Sequence, residues 1–206
     1  MMPLRSLLRD RRGASAAEFA LVLPLFLVLL LGIVDAGRLM YELNLVKKAT
    51  QVGARVAVVT APVDPNLVTF SAVGHDPGSG TLTQGDIVPA GTLGQIDCDD
   101  STCICDNSAG NCPWTPGYDG TAFNVVVNRM NAHYDAIDAD DVTISYLGSG
   151  LGFAGDPTGP DISPTVEVTV SGIEFTPITS LLFATFTLPD VRTSMTGEDQ
   201  AGDESY

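Results

Sequence analysis

Residues 19–34, FALVLPLFLVLLLGIV, contain sixteen consecutive side chains without a charge, and the small residues 14–17 carry the apolar surface back towards the N-terminus. The stretch reaches about 20 residues, the length an α-helix needs to cross the hydrocarbon core of a bilayer. Glu18 alone interrupts it, close to its N-terminal end. A carboxylate entering a membrane is costly and is normally kept for a purpose. Glu18 is the fifth residue after Gly13, and Gly13 closes a basic leader holding Arg5, Arg9, Arg11 and Arg12.

The rest of the chain has a different electrostatic character. Residues 1–55 hold eight basic and four acidic groups, net +4, whereas residues 56–206 hold two basic and twenty-one acidic groups, net −19. An acidic domain of this kind repels nucleic acid and anionic membrane surfaces, so no nucleic acid is expected as its partner. With about 145 residues beyond the first helix there is room for one domain with a modest core. Arg38, Lys47, Lys48 and Arg55 offset the leader arginines in a positive-inside count. The leader charges crowd against the helix, the preceding tail is too short to be a domain, and the four cysteines lie in the large segment. The N-terminus is therefore expected in the cytoplasm and the domain outside. A cleaved secretory signal is the competing reading, but sixteen apolar residues exceed the usual core of such a signal and no A-x-A site follows.

From residue 35 to 61 the apolar pattern becomes periodic. Leu39, Leu43, Val46, Ala49, Val52 or Gly53, Val56 and Val59 recur at three- and four-residue steps, the signature of an amphipathic helix continuing the apolar one. Pro24 predicts a kink inside it, and Pro62 and Pro65 its end. Residues 61–119, rich in Gly, Pro, Asp, Ser and Thr, predict loops with two short strands, the apolar islands LVTF and GDIVP standing out. Residues 120–138 predict a helix with Phe123, Val126, Val127, Met130 and Tyr134 on one face. Alternation predicts strands through Val142, Ile144 and Tyr146 and through Val166, Val168 and Val170. Residues 175–187 predict a short helix before a last strand over about 188–196.

The leader, Gly13, four residues, Glu18, Phe19 and an apolar helix together resemble a type IV prepilin signal. The block RRGASAAEFALVLPLFLVLLLGIVDAGR is similar to the start of the TadE-like proteins, pseudopilins of the tight-adherence (Flp, type IVc) pilus system. The resemblance covers residues 11 to about 60 most strongly. It implies cleavage by a prepilin peptidase between Gly13 and Ala14, with Glu18 and Phe19 then serving assembly, Glu18 by neutralising the amine of a neighbouring subunit. It implies other pilins and pseudopilins, an inner-membrane pilus assembly platform and membrane lipid as partners. The implied fold is α+β: a pilin-like long N-terminal helix, half membrane-spanning and half amphipathic, packed on a small antiparallel sheet domain. The corresponding division is a leader at 1–13, a transmembrane helix at 14–34, its continuation at 35–61, an extracytoplasmic domain at 62–197 and an acidic, disordered tail at 198–206.

Cys98, Cys103, Cys105 and Cys112 follow the spacing C-x4-C-x-C-x6-C. Outside the cytoplasm an even number of cysteines in one short loop, 97–112, points to two disulfides. Either 98–103 with 105–112, or 98–105 with 103–112, satisfies the spacing. Zinc competes, but the pattern is not a standard finger or ribbon and no His is near. Asp97, Asp99, Asp100 and Asp106 fail the EF-hand template, because Thr102 and Ser108 occupy its Gly and final Glu positions. Gly150-x-Gly152-x-x-Gly155 matches a dinucleotide fingerprint, yet the Pro157 and Pro160 that follow deny it the helix it needs. His75 and His133 have no nucleophile context. No metal, cofactor or enzyme activity is expected. The alternative to a pseudopilin is an unprocessed single-span binding module with a disulfide-stapled acidic domain.

Overall fold

The computed structural model describes residues 13–106, 111–180 and 184–198. The leader and the acidic tail beyond residue 198 lie outside these. Helix α1, Ala14–Ala57, runs 44 residues without interruption through Pro24. The chain divides into two compact units. One comprises the residues up to Glu42 with Glu174–Phe186, and the other comprises Leu43–Ile173 with the residues from Thr187 onward.

The larger unit is an antiparallel sheet with helices. After α1 come a single helical turn, α2 (Asn66–Thr69), then β1 (Gln95–Cys98), β2 (Cys103–Asp106), α3 (Gly120–Asn131), β3 (Val142–Leu147), β4 (Thr165–Val170) and, at the end, β7 (Val191–Thr196). The strand order is β2-β1-β3-β4-β7, with every pairing antiparallel. The short strands β5 (Glu174–Phe175) and β6 (Phe186–Thr187) form a separate pair. This is an α+β protein with a long apolar N-terminal helix and a small antiparallel sheet.

Alternation sorts the sheet into two faces. Ile96 pairs with Tyr146, which pairs with Val166; Cys98 pairs with Ile144, which pairs with Val168. All six are buried, so these cross-strand pairs form the core layer. On the other face, Ser145 donates to the Asp97 carboxylate at 2.6 Å, and Arg192 lies 3.8 Å from Glu167. Burial drives the Tyr146 phenol far above its ordinary pKa, and its hydroxyl accepts the Val63 N–H at 2.9 Å.

The buried stripe of α1 consists of Val46, Ala49, Thr50, Gly53, Ala54 and Ala57. It is rotated from the expected one: Leu43, Val52 and Val56 are only half-buried, and small residues take the centre. Close approach explains the shift. A Cβ on Gly53 would come within 2.7 Å of Met130 Cγ, so α3 packs where only hydrogen fits. Helix α3 starts on Asp119, whose carboxylate accepts the Thr121 N–H at 2.8 Å. It presents Phe123, Val126, Val127 and Met130 inward as expected, while Tyr134 falls beyond its end.

The two short strands expected in the loop-rich region are the cysteine-bearing β1 and β2. Of the apolar islands, LVTF overlaps α2 and GDIVP offers the isolated bridge Ile87–Phe153. One expectation is corrected. Among the described residues of 175–187 there is no helix but a turn between β5 and β6. Its N–H groups at Ile178 and Thr179 are claimed by a carboxylate 143 and 144 residues away, and Pro177 has no N–H to offer.

Candidate functional site

The N-terminal unit carries the residues singled out in the sequence. Gly13 is exposed, and Ala14 is the first residue of α1. One turn later Glu18 and Phe19 face outward, Phe19 with 65 % of its surface exposed. Beyond them Leu21, Leu25, Phe26, Leu29 and Ile33 are all more than half exposed. The helix is long and apolar enough to cross a membrane, and none of its most apolar 18-residue window is buried. A soluble core helix would hide such a surface, because leaving each large aliphatic side chain in water forgoes roughly 1.5–3 kcal/mol. The apolar wall is therefore built for a non-aqueous neighbour.

At the end of this wall lies a polar clamp that the sequence reading missed. Asp35, 7 % exposed, accepts the N–H of Ile178 at 2.7 Å, the N–H of Thr179 at 3.0 Å and the Thr179 hydroxyl at 2.7 Å. Arg38, one turn on, lies 3.5 Å from Asp35 and 3.5 Å from Glu42, and donates to the Thr176 carbonyl at 3.4 Å. Its guanidinium stacks 5.4 Å above the Phe175 ring. The D-x-x-R spacing at one helical turn was the available signal; the partner turn was not visible from it.

The cysteine cluster resolves into Cys98–Cys103 and Cys105–Cys112. Cys98 and Cys103 are direct register partners of β1 and β2, so the first bond closes that hairpin at its turn. Asp99 shapes the turn by accepting the Ser101 and Thr102 N–H groups, each at 2.8 Å, and these bonds hold its carboxyl below the usual range. Asp97 meanwhile serves Gln95 and Ser145 on the sheet. The loop acids thus have separate structural duties. The carboxylates of Asp138, Asp140 and Asp141 do approach one another, and burial together with its two acidic neighbours raises Asp141. They form a capped 3-10 turn in which Asp141 accepts the Asp138 N–H at 2.9 Å.

The glycine motif is a loop. Gly150, Gly152 and Gly155 adopt positive φ, and the segment rests on Asp161, which accepts the N–H groups of Ala72, Gly155 and Asp156 at 2.7, 2.9 and 3.1 Å. His75 packs edge-on against Phe70 at 5.6 Å.

A long helix with an exposed apolar half, which suggests a membrane anchor, and a small disulfide-stapled sheet define an α+β protein. The family described as TadE-like protein matches residues 13–55, so this N-terminal segment is TadE-like. The match points to a pilus-associated, minor-pilin-like role, in a family of structural components and in the company of other pilus components. No curated protein and no solved structure gives a significant match to the chain.

Proposed function

We propose that the protein is a TadE-like pseudopilin or minor pilin that helps assemble or anchor a tight-adherence (Flp-type) pilus. The observation that carries this reading is the coincidence of the family match at 13–55 with a helix that begins at Ala14 and exposes its apolar wall. In this reading a prepilin peptidase cuts between Gly13 and Ala14, leaving Glu18 one helical turn from the new amine. A carboxylate in low dielectric gains most from a cationic partner, and the amine of an adjacent subunit supplies one. The bacterial inner membrane holds residues 14–34, with the N-terminus cytoplasmic and the domain at 62–197 extracytoplasmic. Two disulfides support an oxidising side for that domain.

Mass and N-terminal sequence of the protein from native membranes test the processing. An N-terminus at Ala14 is expected. An intact N-terminus in the presence of active peptidase would sink the pseudopilin reading and favour the unprocessed binding module. Glu18 is tested separately: Glu18→Ala should leave membrane insertion intact and strongly reduce incorporation into pili, scored by fractionation and sheared-filament yield. Unchanged filament yield would remove Glu18 from assembly.

A further inference from the structure

We propose that residues 175–180 and 184–186 are a second membrane-contacting element, lying in the headgroup–acyl boundary where α1 leaves the bilayer. This rests on the reading of residues 14–34 as a membrane span.

Composition is the first observation. Residues 175–189 contain no charged side chain, although they lie in the part of the chain that carries −19. Burial alternates along residues 174–180. Phe175, Pro177 and Thr179 turn inward, whereas Ile178 is 52 % and Phe186 46 % exposed. The two faces have different tasks. Inward, Phe175 meets Phe186 at 5.4 Å between ring centres. Between this pair and α1 lies a groove of about 440 Å³, lined mainly by carbon from Gly32, Ala36, Leu39, Phe175, Pro177 and Phe186.

The groove begins at Gly32, within the exposed apolar wall of residues 19–34, so whatever solvates that wall also reaches the groove. The backbone chemistry is compatible with lipid. In a bilayer each polar backbone group must be satisfied inside the protein. Here Asp35 takes the N–H groups of Ile178 and Thr179, Ser180 donates to the Pro177 carbonyl at 3.0 Å, and Arg38 donates to the Thr176 carbonyl. The same bonds fix depth, because Asp35 is the residue directly after the apolar run. Exposed Tyr41 follows within two turns, the kind of amphipathic side chain that settles at a membrane interface. An interfacial element sits about 5–10 Å into the headgroup–acyl boundary.

The test uses the full chain in phosphatidylcholine vesicles, with or without bromine on the acyl chains. Ile178→Trp and Phe186→Trp each add a reporter to the native Trp114, whose emission in the parent sets the baseline. Phe26→Trp reports on the span itself. Expected are loss of the added emission at 178 and 186 to lipid bromines, and poor quenching there by aqueous iodide. Quenching at 26 with none at 178 or 186 would overturn the proposal while leaving the span standing. No bromine quenching at any of the three would overturn both. Shielding of 178 and 186 that develops only at high protein-to-lipid ratio would assign the groove to a second copy of the chain, and the proposal would fail.

Discussion

Asp64→Ala is expected to lower the stability of the domain by about 3 kcal/mol or more. Asp64 is fully buried. It accepts the Trp114 indole N–H at 2.6 Å, the Gly117 N–H at 2.9 Å and the Asn66 N–H at 3.0 Å. Each buried donor left without an acceptor costs roughly 1–3 kcal/mol, and partial relaxation keeps the total below the simple sum. The substitution also frees the indole that packs on Phe70 at 4.8 Å, so Trp114 should gain mobility. Thermal unfolding of the full chain in detergent, followed by far-UV circular dichroism, measures the stability. Trp114 emission reads the local change. An unchanged melting temperature would mean that water replaces the carboxylate without loss. Asp64 would then have no structural claim.

Gly148→Ala is the second large effect, and its cause is steric. Gly148 follows β3 directly, and a Cβ there would lie 2.6 Å from the Leu93 carbonyl oxygen and 2.9 Å from the Ala90 carbonyl carbon. Both obstacles are backbone, so no rotamer change removes the clash. The loop at 90–93 would have to move away from the sheet, at a cost near the upper end of the ~1–3 kcal/mol range for overpacking. Gly159→Ala is the matched control, since nothing lies within 4 Å of its Cβ position and its backbone is ordinary. It should shift stability by no more than about 0.5 kcal/mol. Equal melting temperatures for the two variants would contradict the packing of this loop against the end of β3.

These sites mark the boundary of what the sequence reveals. Period-two alternation located β3 and β4, and helical spacing located the buried face of α3, because those patterns are local and repeat. Strands β1 and β2 have four residues each and too few apolar positions to repeat; pairing with β3 and the Cys98–Cys103 bond define them. The turn at 175–187 misled for a related reason. Its apolar content fits a helix, but its conformation answers to Asp35, far away in the chain. Asp35, Asp64 and Asp161 each gather three or more donors from distant or irregular segments, and in the sequence they look like any of the other acids. Part of the strongly negative composition is thus an internal scaffold for loops. At the candidate site the apolar wall was legible because the run is contiguous. The clamp was not, because half of it lies near the other end.

The length of α1 has a mechanical meaning. At 1.5 Å per residue its 44 residues extend about 66 Å, roughly twice the hydrocarbon thickness it would cross. Its last turns are held in the core along Val46, Ala49, Gly53 and Ala57. A pull along the axis from the N-terminal end loads these contacts in parallel, as shear, and not one after another as in peeling. Extraction of the helix then requires them to fail together. A traction load applied to the apolar end is thus shared across the seam, with the close Gly53–Met130 approach at its centre.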